Sequence, residues 1–371
     1  MRIQGNSPHY SQSAYLSTGK ARRLSPVNIN AGLSPKFGCH LYTAVTPLNI
    51  TPEEAKVSQK FRENTLLNWD NSFKRQGVPH QKRSEQIKNA FGIPLDYWRE
   101  EILYLEGCTD GWGMTTFKDG KKIKDYRNMK PAYESGEYLQ AAKEISESKA
   151  PIAIGHLRVA IGRAFAVRPE NLHPFHFGPW SFIHTGVADA VDHVQVTPPI
   201  DEFMKNEKIE IDREKATDTE FLFYFILAAI KKEFKTTDPS KIPLEKLIPV
   251  LSKAILFYKR PYKDQRHSHR VGNFVLTDGK RVIVYRNNNT RLFYTTKELS
   301  PGKMEHLVTT EPMLPKDGSA DKKNWREIGI ETIVTLEPKD LHVEVSQIEL
   351  PKNFTRDFSV KKETIKPDKS F

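Results

Sequence analysis

The sequence predicts an α+β protein with two sheet regions, and three observations carry that prediction. Strand-like segments stand near the start of the folded part, at 39–45, 152–159 and 181–184. Two apolar helical stretches follow, at 218–232 and 244–258. After residue 272 the hydrophobic period shifts to two, in short runs that continue to about 345. Strands, then helices, then strands suit two sheets packed face to face with helices outside. A chain of 371 residues is long enough to bury a sizeable core.

Residues 1–38 contain no Asp or Glu and set basic residues among Ser, Asn and Pro, a composition that does not pack well. They read as a flexible N-terminal extension or propeptide, with an organelle transit peptide and a disordered arm as alternatives. Residues 39–45 form the first strand. Thr51-Pro52-Glu53-Glu54 is a helix start, with Thr51 as N-cap and Glu54 closing a capping box. Helical material, broken at 77–79 and 92–94, extends to about 105 as an insertion over 51–105. Lys118 to Lys130 is a basic run that turns at Asp119-Gly120, a solvated hairpin. Thr217 opens the helix over 218–232, and Asp278-Gly279 joins two strands, 272–277 and 281–286. Further strands are expected near 292–295, 306–309, 332–336 and 342–345. The main domain is thus 39–345, followed by a charged tail over 346–371.

Composition excludes several functions. The longest apolar run, Phe221 to Ile230, is far short of the roughly 20 residues that cross a bilayer, so no membrane role is expected. Two cysteines, Cys39 and Cys108, make neither a disulfide framework nor a cysteine-rich metal site, which fits a reducing, cytoplasmic setting. The net charge of +11 favours acidic partners, but Lys and Arg are interleaved with Asp and Glu along the chain. Without an RNP-like or finger motif, no specific nucleic-acid binding is expected. The pairs His173/His176 and His267/His269 lack carboxylate or cysteine partners at ligand spacing, so neither metal nor cofactor is expected.

The chemistry-bearing residues fall in a fixed order. A lone Gly38-Cys39 comes first, then Asp110-Gly111-Trp112-Gly113 and Gly155-His156-Leu157-Arg158. Asn171-Leu172-His173-Pro174-Phe175, His184-Thr185-Gly186 and Thr217-Asp218-Thr219-Glu220 complete the series. This order resembles the class II glutamine amidotransferases, members of the N-terminal-nucleophile hydrolases, and within them the short stand-alone hydrolases. The resemblance covers roughly 39–338 and implies an Ntn-hydrolase-like four-layer αββα sandwich.

It also implies roles. Cleaving a γ-glutamyl amide needs a nucleophile, oxyanion donors, and anchors for the α-carboxylate and α-ammonium of the substrate. Cys39 matches the family nucleophile, whose own α-amine serves as base. While Gly38 is bonded to it, that nitrogen is an amide and takes up no proton, so the resemblance implies cleavage between Gly38 and Cys39. Arg158 matches the carboxylate anchor, and a planar guanidinium suits that task. Asp218 matches the ammonium anchor while also suiting a helix start. Gly186, with Thr185 where the family has Asn, matches the oxyanion donors. Losing one such donor costs about 2.7–4 kcal/mol elsewhere. His173 matches a motif lining the site, and Asp110 and Trp112 are expected to shape the pocket wall. Cys108 stands where related proteins carry His.

The expected activity is hydrolysis of glutamine or another small γ-glutamyl substrate, either free-standing or with a protein partner that receives ammonia or forms a complex. The alternatives are a catalytically impaired relative that binds a ligand or partner, motivated by Thr185 and the preceding 38 residues, and a protein-glutamine deamidase.

Overall fold

The computed structural model describes residues 39–69, 72–78, 107–159, 168–188, 196–213, 215–260, 271–287, 291–313, 325–339 and 342–349. The 79–105 part of the expected helical insertion, the extension 1–38, His267, His269 and residues 350–371 of the tail lie outside them.

Strand β1 (His40–Val45) leads into α1 (Pro52–Glu63) through the expected capping box: the Thr51 hydroxyl accepts from the Glu54 N–H, and the Glu54 carboxylate accepts from the Thr51 N–H. A π-helical turn and the short α2 (Phe73–Gln76) follow. Strands β2 (Trp112–Lys118) and β3 (Lys121–Asn128) form the basic hairpin. It turns at Asp119 and Gly120, whose φ angles of 54° and 76° are those an Asp-Gly turn requires. Next come α3 (Gly136–Glu147), β4 (Ile152–Leu157), β5 (Phe175–Phe177) and β6 (Trp180–Thr185). Helices α4 (Thr197–Glu207), α5 (Asp218–Phe234) and α6 (Leu244–Lys259) precede β7 (Asn273–Thr277) and β8 (Val282–Arg286). The remainder is β9 (Phe293–Ser300), β10 (Lys303–Thr309), β11 (Arg326–Glu327), β12 (Thr332–Glu337) and β13 (His342–Gln347).

Among the described residues these strands form a seven-stranded sheet, β11-β9-β10-β1-β4-β2-β3, and a six-stranded sheet, β13-β12-β8-β7-β6-β5. The fold is therefore α+β with two sheets. It differs from the sequence expectation in detail, since α3 and α4 are additional helices. Helix α3 buries Tyr138, Ala141, Ala142 and Ile145, a helical period, behind a Ser135 cap. Helix α4 begins at Val196 with no side-chain cap.

Alternation along the strands separates three apolar clusters. On β4, Ala153 and Leu157 join Tyr138 and Ile145 of α3, while Ile152 and Ile154 face the other way. There they meet Ile183, Val275, Val284 and Val334 from the second sheet. The opposite face of that second sheet packs Phe182, Phe274 and Tyr285 on the apolar length of α5 and on α6. His156 and Arg158 continue the alternation of Ile152 and Ile154, which aims them toward the gap between sheets. Burial of each such Leu, Ile or Phe is worth on the order of 1.5–3 kcal/mol. No described helix is long and apolar enough to cross a membrane.

Candidate active site

Cys39 directly precedes β1, which pairs antiparallel with β4 in the register His40↔Leu157. That register brings Cys39 beside the residues following β4. Its thiol accepts from the Val159 N–H at 3.4 Å and donates to the Val159 carbonyl at 3.5 Å. Burial pushes the Cys39 thiol up. The Val159 N–H and the Arg158 guanidinium pull it down, Asp218 and Asp110 push it further up, and the thiol stays above its ordinary value. Three of the sequence-identified residues thus act electrostatically on one sulfur.

Arg158 is 5% exposed, and its Nη1 has no hydrogen-bond partner among the described residues. Its backbone is fixed from both sides: its N–H donates to Gly111 O at 2.9 Å, and its carbonyl accepts from the Asp110 N–H at 3.1 Å. A buried guanidinium nitrogen without an acceptor is costly unless an anion fills the position.

Asp218 opens α5, where Thr217 caps the helix by accepting from the Glu220 N–H. Its carboxylate accepts from the Thr219 N–H and, across the chain, from the Ala188 N–H, each at 2.8 Å. One carboxylate therefore closes the helix start and holds the segment after Gly186. Each carboxylate oxygen keeps further acceptor capacity.

Thr185 ends β6, and its hydroxyl donates to the carbonyl of Cys39. The sequence reading expected this hydroxyl to serve an oxyanion. In the fold it is committed to the Cys39 backbone and joins the two sheets at the thiol. Gly186 follows with φ +111°, and a Cβ there would lie 3.0 Å from Gly272 Cα. Only glycine fits that approach easily.

Beneath these residues sit three imidazoles. His184 donates through Nε2 to Val271 O at 2.7 Å, so its Nδ1 accepts from the Thr219 hydroxyl at 2.9 Å. His156 donates through Nε2 to His184 O at 3.0 Å, which leaves its Nδ1 an acceptor without a partner among the described residues. The His173 ring meets the His156 ring at 3.8 Å, and its Nδ1 likewise has no partner among the described residues. Burial holds His156 and His173 well below the ordinary imidazole value; Arg158 adds to the effect on His156, and His156 to that on His173. Burial also lowers His184, against the pull of Asp218. All three are neutral at neutral pH.

Trp112 does not join this group. Its ring lies edge-on against Tyr138 of α3, 5.1 Å away, in the helix-facing cluster. Cys108 belongs to that same cluster, and burial, followed by the nearby Cys39 and Glu311, pushes its thiol well above its ordinary value. Sequence reasoning missed Val159 and Arg127. Val159 acts through its backbone, which leaves no residue-type signal. Arg127 donates to Leu172 O at 3.0 Å and to Pro174 O at 2.6 Å.

Residues 95–312 match the family described as glutamine amidotransferases class-II. That is more than half of the chain, and the chain belongs to this family. The match begins after Cys39. Among solved structures, a glutamine aminotransferase class-II domain protein from Silicibacter pomeroyi is 19% identical, with a TM-score of 0.42, covering 65% of this chain and 92% of its own. A predicted glutamine amidotransferase from Pseudomonas aeruginosa is 17% identical, with a TM-score of 0.43, covering 83% and 98%. The glutamine phosphoribosylpyrophosphate amidotransferase of B. subtilis is 12% identical, with a TM-score of 0.44; 84% of this chain corresponds to 50% of that one. A search of curated protein sequences finds no match.

Proposed function

We propose that this protein hydrolyses a small γ-glutamyl amide, glutamine or a γ-glutamyl peptide, with Cys39 as nucleophile. The observation that carries the reading is Arg158: a buried cation whose Nη1 has no partner among the described residues, adjacent in sequence to the residue that grips the Cys39 thiol. Family membership supports it, and so does the layering of helices outside two facing sheets, which we read as the four-layer αββα sandwich.

In this mechanism Arg158 binds the substrate α-carboxylate through its free nitrogen, and Asp218 takes the α-ammonium with its remaining acceptor capacity. The Cys39 sulfur attacks the amide carbon. The thiol proton passes through the Cys39 α-amine to the leaving nitrogen, which departs as ammonia or an amine and leaves a thioester. Water then attacks the thioester, releasing glutamate and restoring the thiol. The Gly186 N–H stabilises the oxyanion. Thr185 fixes the Cys39 carbonyl, so the nucleophile enters the reaction already oriented. The α-amine exists only after the Gly38–Cys39 bond is cut, so the active form begins at Cys39, with 1–38 as a propeptide.

The test is ammonia release from L-glutamine by the wild type and by Cys39→Ala, alongside N-terminal sequencing. Turnover lost in Cys39→Ala and a terminus at Cys39 support the reading; equal release from both proteins would defeat it. A second reading is motivated by the commitment of the Thr185 hydroxyl to the backbone: a protein that binds the γ-glutamyl ligand without turning it over. Binding of L-glutamine with no ammonia from a processed N-terminus is its signature.

A further inference from the structure

We infer that Arg127 is a positioning residue for this site, setting the place of His173 and through it of His156 and Arg158. The inference rests on the reading that Arg158 receives a γ-glutamyl carboxylate, and it assigns a role to a residue of the basic hairpin, outside the chemistry-bearing motifs.

The segment over 172–174 lies between a 3-10 turn (Pro169–Asn171) and the start of β5. Neither a helix nor a strand ladder satisfies the carbonyls of Leu172 and Pro174; one guanidinium does. Arg127 Nη1 donates to Leu172 O at 3.0 Å and Nη2 to Pro174 O at 2.6 Å, so the two bonds bracket His173. A rigid planar fork can hold two carbonyls at fixed separation, whereas a lysine ammonium cannot reproduce that spacing.

The ring of His173 has no such fixation of its own. Its Nδ1 has no partner among the described residues, and it is held by contact with His156 at 3.8 Å and with Phe175 at 4.8 Å. Its carbonyl presses onto β2, where a Cβ on Gly113 would lie 1.9 Å from it. His156 is hydrogen-bonded to His184 O and stands two residues before Arg158 on one face of the same strand direction. Displacing His173 therefore displaces the floor beside the carboxylate anchor.

Arg127 is itself steadied from the rim. It lies on β3, the edge strand of the seven-stranded sheet, while His173 leads into β5, the edge strand of the other. Asp125 accepts from Arg127 at 3.4 Å and, on its other oxygen, from the Thr115 hydroxyl at 2.6 Å and His176 Nε2 at 3.3 Å. His176 Nδ1 meets Ser181 of β6 at 2.7 Å. The two edges are thus joined by Asp125 and His176, with Arg127 reaching inward from that join.

The test uses the full chain with Arg127→Ala, Arg127→Lys and Arg127→Gln. Hydrolysis of L-glutamine is measured beside protection of Cys39 from iodoacetamide by L-glutamate, which needs binding but no turnover. Arg127→Ala is expected to raise KM and weaken protection roughly tenfold or more, the scale of losing charge-assisted hydrogen bonds. Its kcat and its unprotected alkylation rate should change far less. Added guanidinium should restore part of the loss in Arg127→Ala, and Arg127→Lys should fall between Arg127→Ala and the wild type. Variants that match an active, protectable wild type in KM and protection overturn this inference alone. Loss of fold by all three reduces Arg127 to a structural strut and also overturns it. A wild type with neither turnover nor protection overturns the reading of the site, and the inference with it.

Discussion

A thiol set between a guanidinium and two carboxylates reports on each of them by its reactivity. The thiolate is the species that alkylates, so any charge that raises the Cys39 thiol slows the reaction at fixed pH. Burial already raises it in the intact chain, so iodoacetamide should react faster as pH climbs into and beyond the ordinary thiol range. The neighbours then act with opposite signs. Arg158→Gln removes a stabilising cation and should slow alkylation at pH 8 several-fold; Asp218→Asn removes a destabilising anion and should speed it. Mass spectrometry should find the adduct at Cys39 rather than Cys108, because Cys108 is 2% exposed and its thiol is pushed higher. Changes of the same sign in both variants would mean that altered packing, not charge, governs the sulfur.

The chain is tightly constrained where β6 ends beside the start of β7. Gly272 has φ +72°, and a Cβ there would lie 2.1 Å from His184 Nε2 and 2.5 Å from Thr185 O. Gly272→Ala must break the His184–Val271 hydrogen bond or move Thr185 off the Cys39 carbonyl. A cost of about 3 kcal/mol or more in unfolding free energy is expected, and the proposed hydrolysis of L-glutamine should be lost with it. Gly302→Ala is the control: at φ +81° it meets nothing within 4 Å, so only the left-handed backbone penalty of about 1–2 kcal/mol remains. Equal denaturation midpoints for the two variants would remove the steric argument. What was legible in the sequence follows the same division between local and distant causes. Thr51 with Glu54, Asp119-Gly120 and Asp278-Gly279 are short-range signals, and each marks the turn or cap it predicts. The spacing of Tyr138, Ala141, Ala142 and Ile145 is a helical signal of the same local kind, whereas α4 carries no side-chain cap. Arg158, His173 and Asp218 stand out as candidates because each sits inside a short motif. Arg127 could not, since its two acceptors lie 45 and 47 residues away. Likewise, nothing in His184-Thr185-Gly186 says that the threonine hydroxyl will meet a carbonyl 146 residues distant.

For the molecule as a whole, the neutral histidines beneath the site couple its stability to pH. His156 on β4, His184 on β6 and His173 on the connecting segment are each at most 4% exposed, and burial holds all three below the ordinary imidazole value. His306, on β10, is lowered by burial to about 4. In the unfolded chain these groups titrate near 6.5. Below that pH the unfolded state binds protons that the native state refuses, so stability falls as pH falls. The sign is that of a depressed folded pKa: the contribution is fully present above about 6.5 and is lost progressively toward the folded values. Each such histidine contributes a slope of up to about 1.4 kcal/mol per pH unit. Carboxylates act later in the descent, since Asp125, though burial raises it, is held well below its ordinary value by His176, Thr115 and Arg127. Urea midpoints measured between pH 7.5 and 5 should therefore drop steeply below about 6.5, and His173→Gln should flatten that slope even if it lowers stability at pH 7.5. A midpoint that holds constant across this range would mean that the buried imidazoles accept protons in the folded state, and the neutral floor assigned to the site would be wrong.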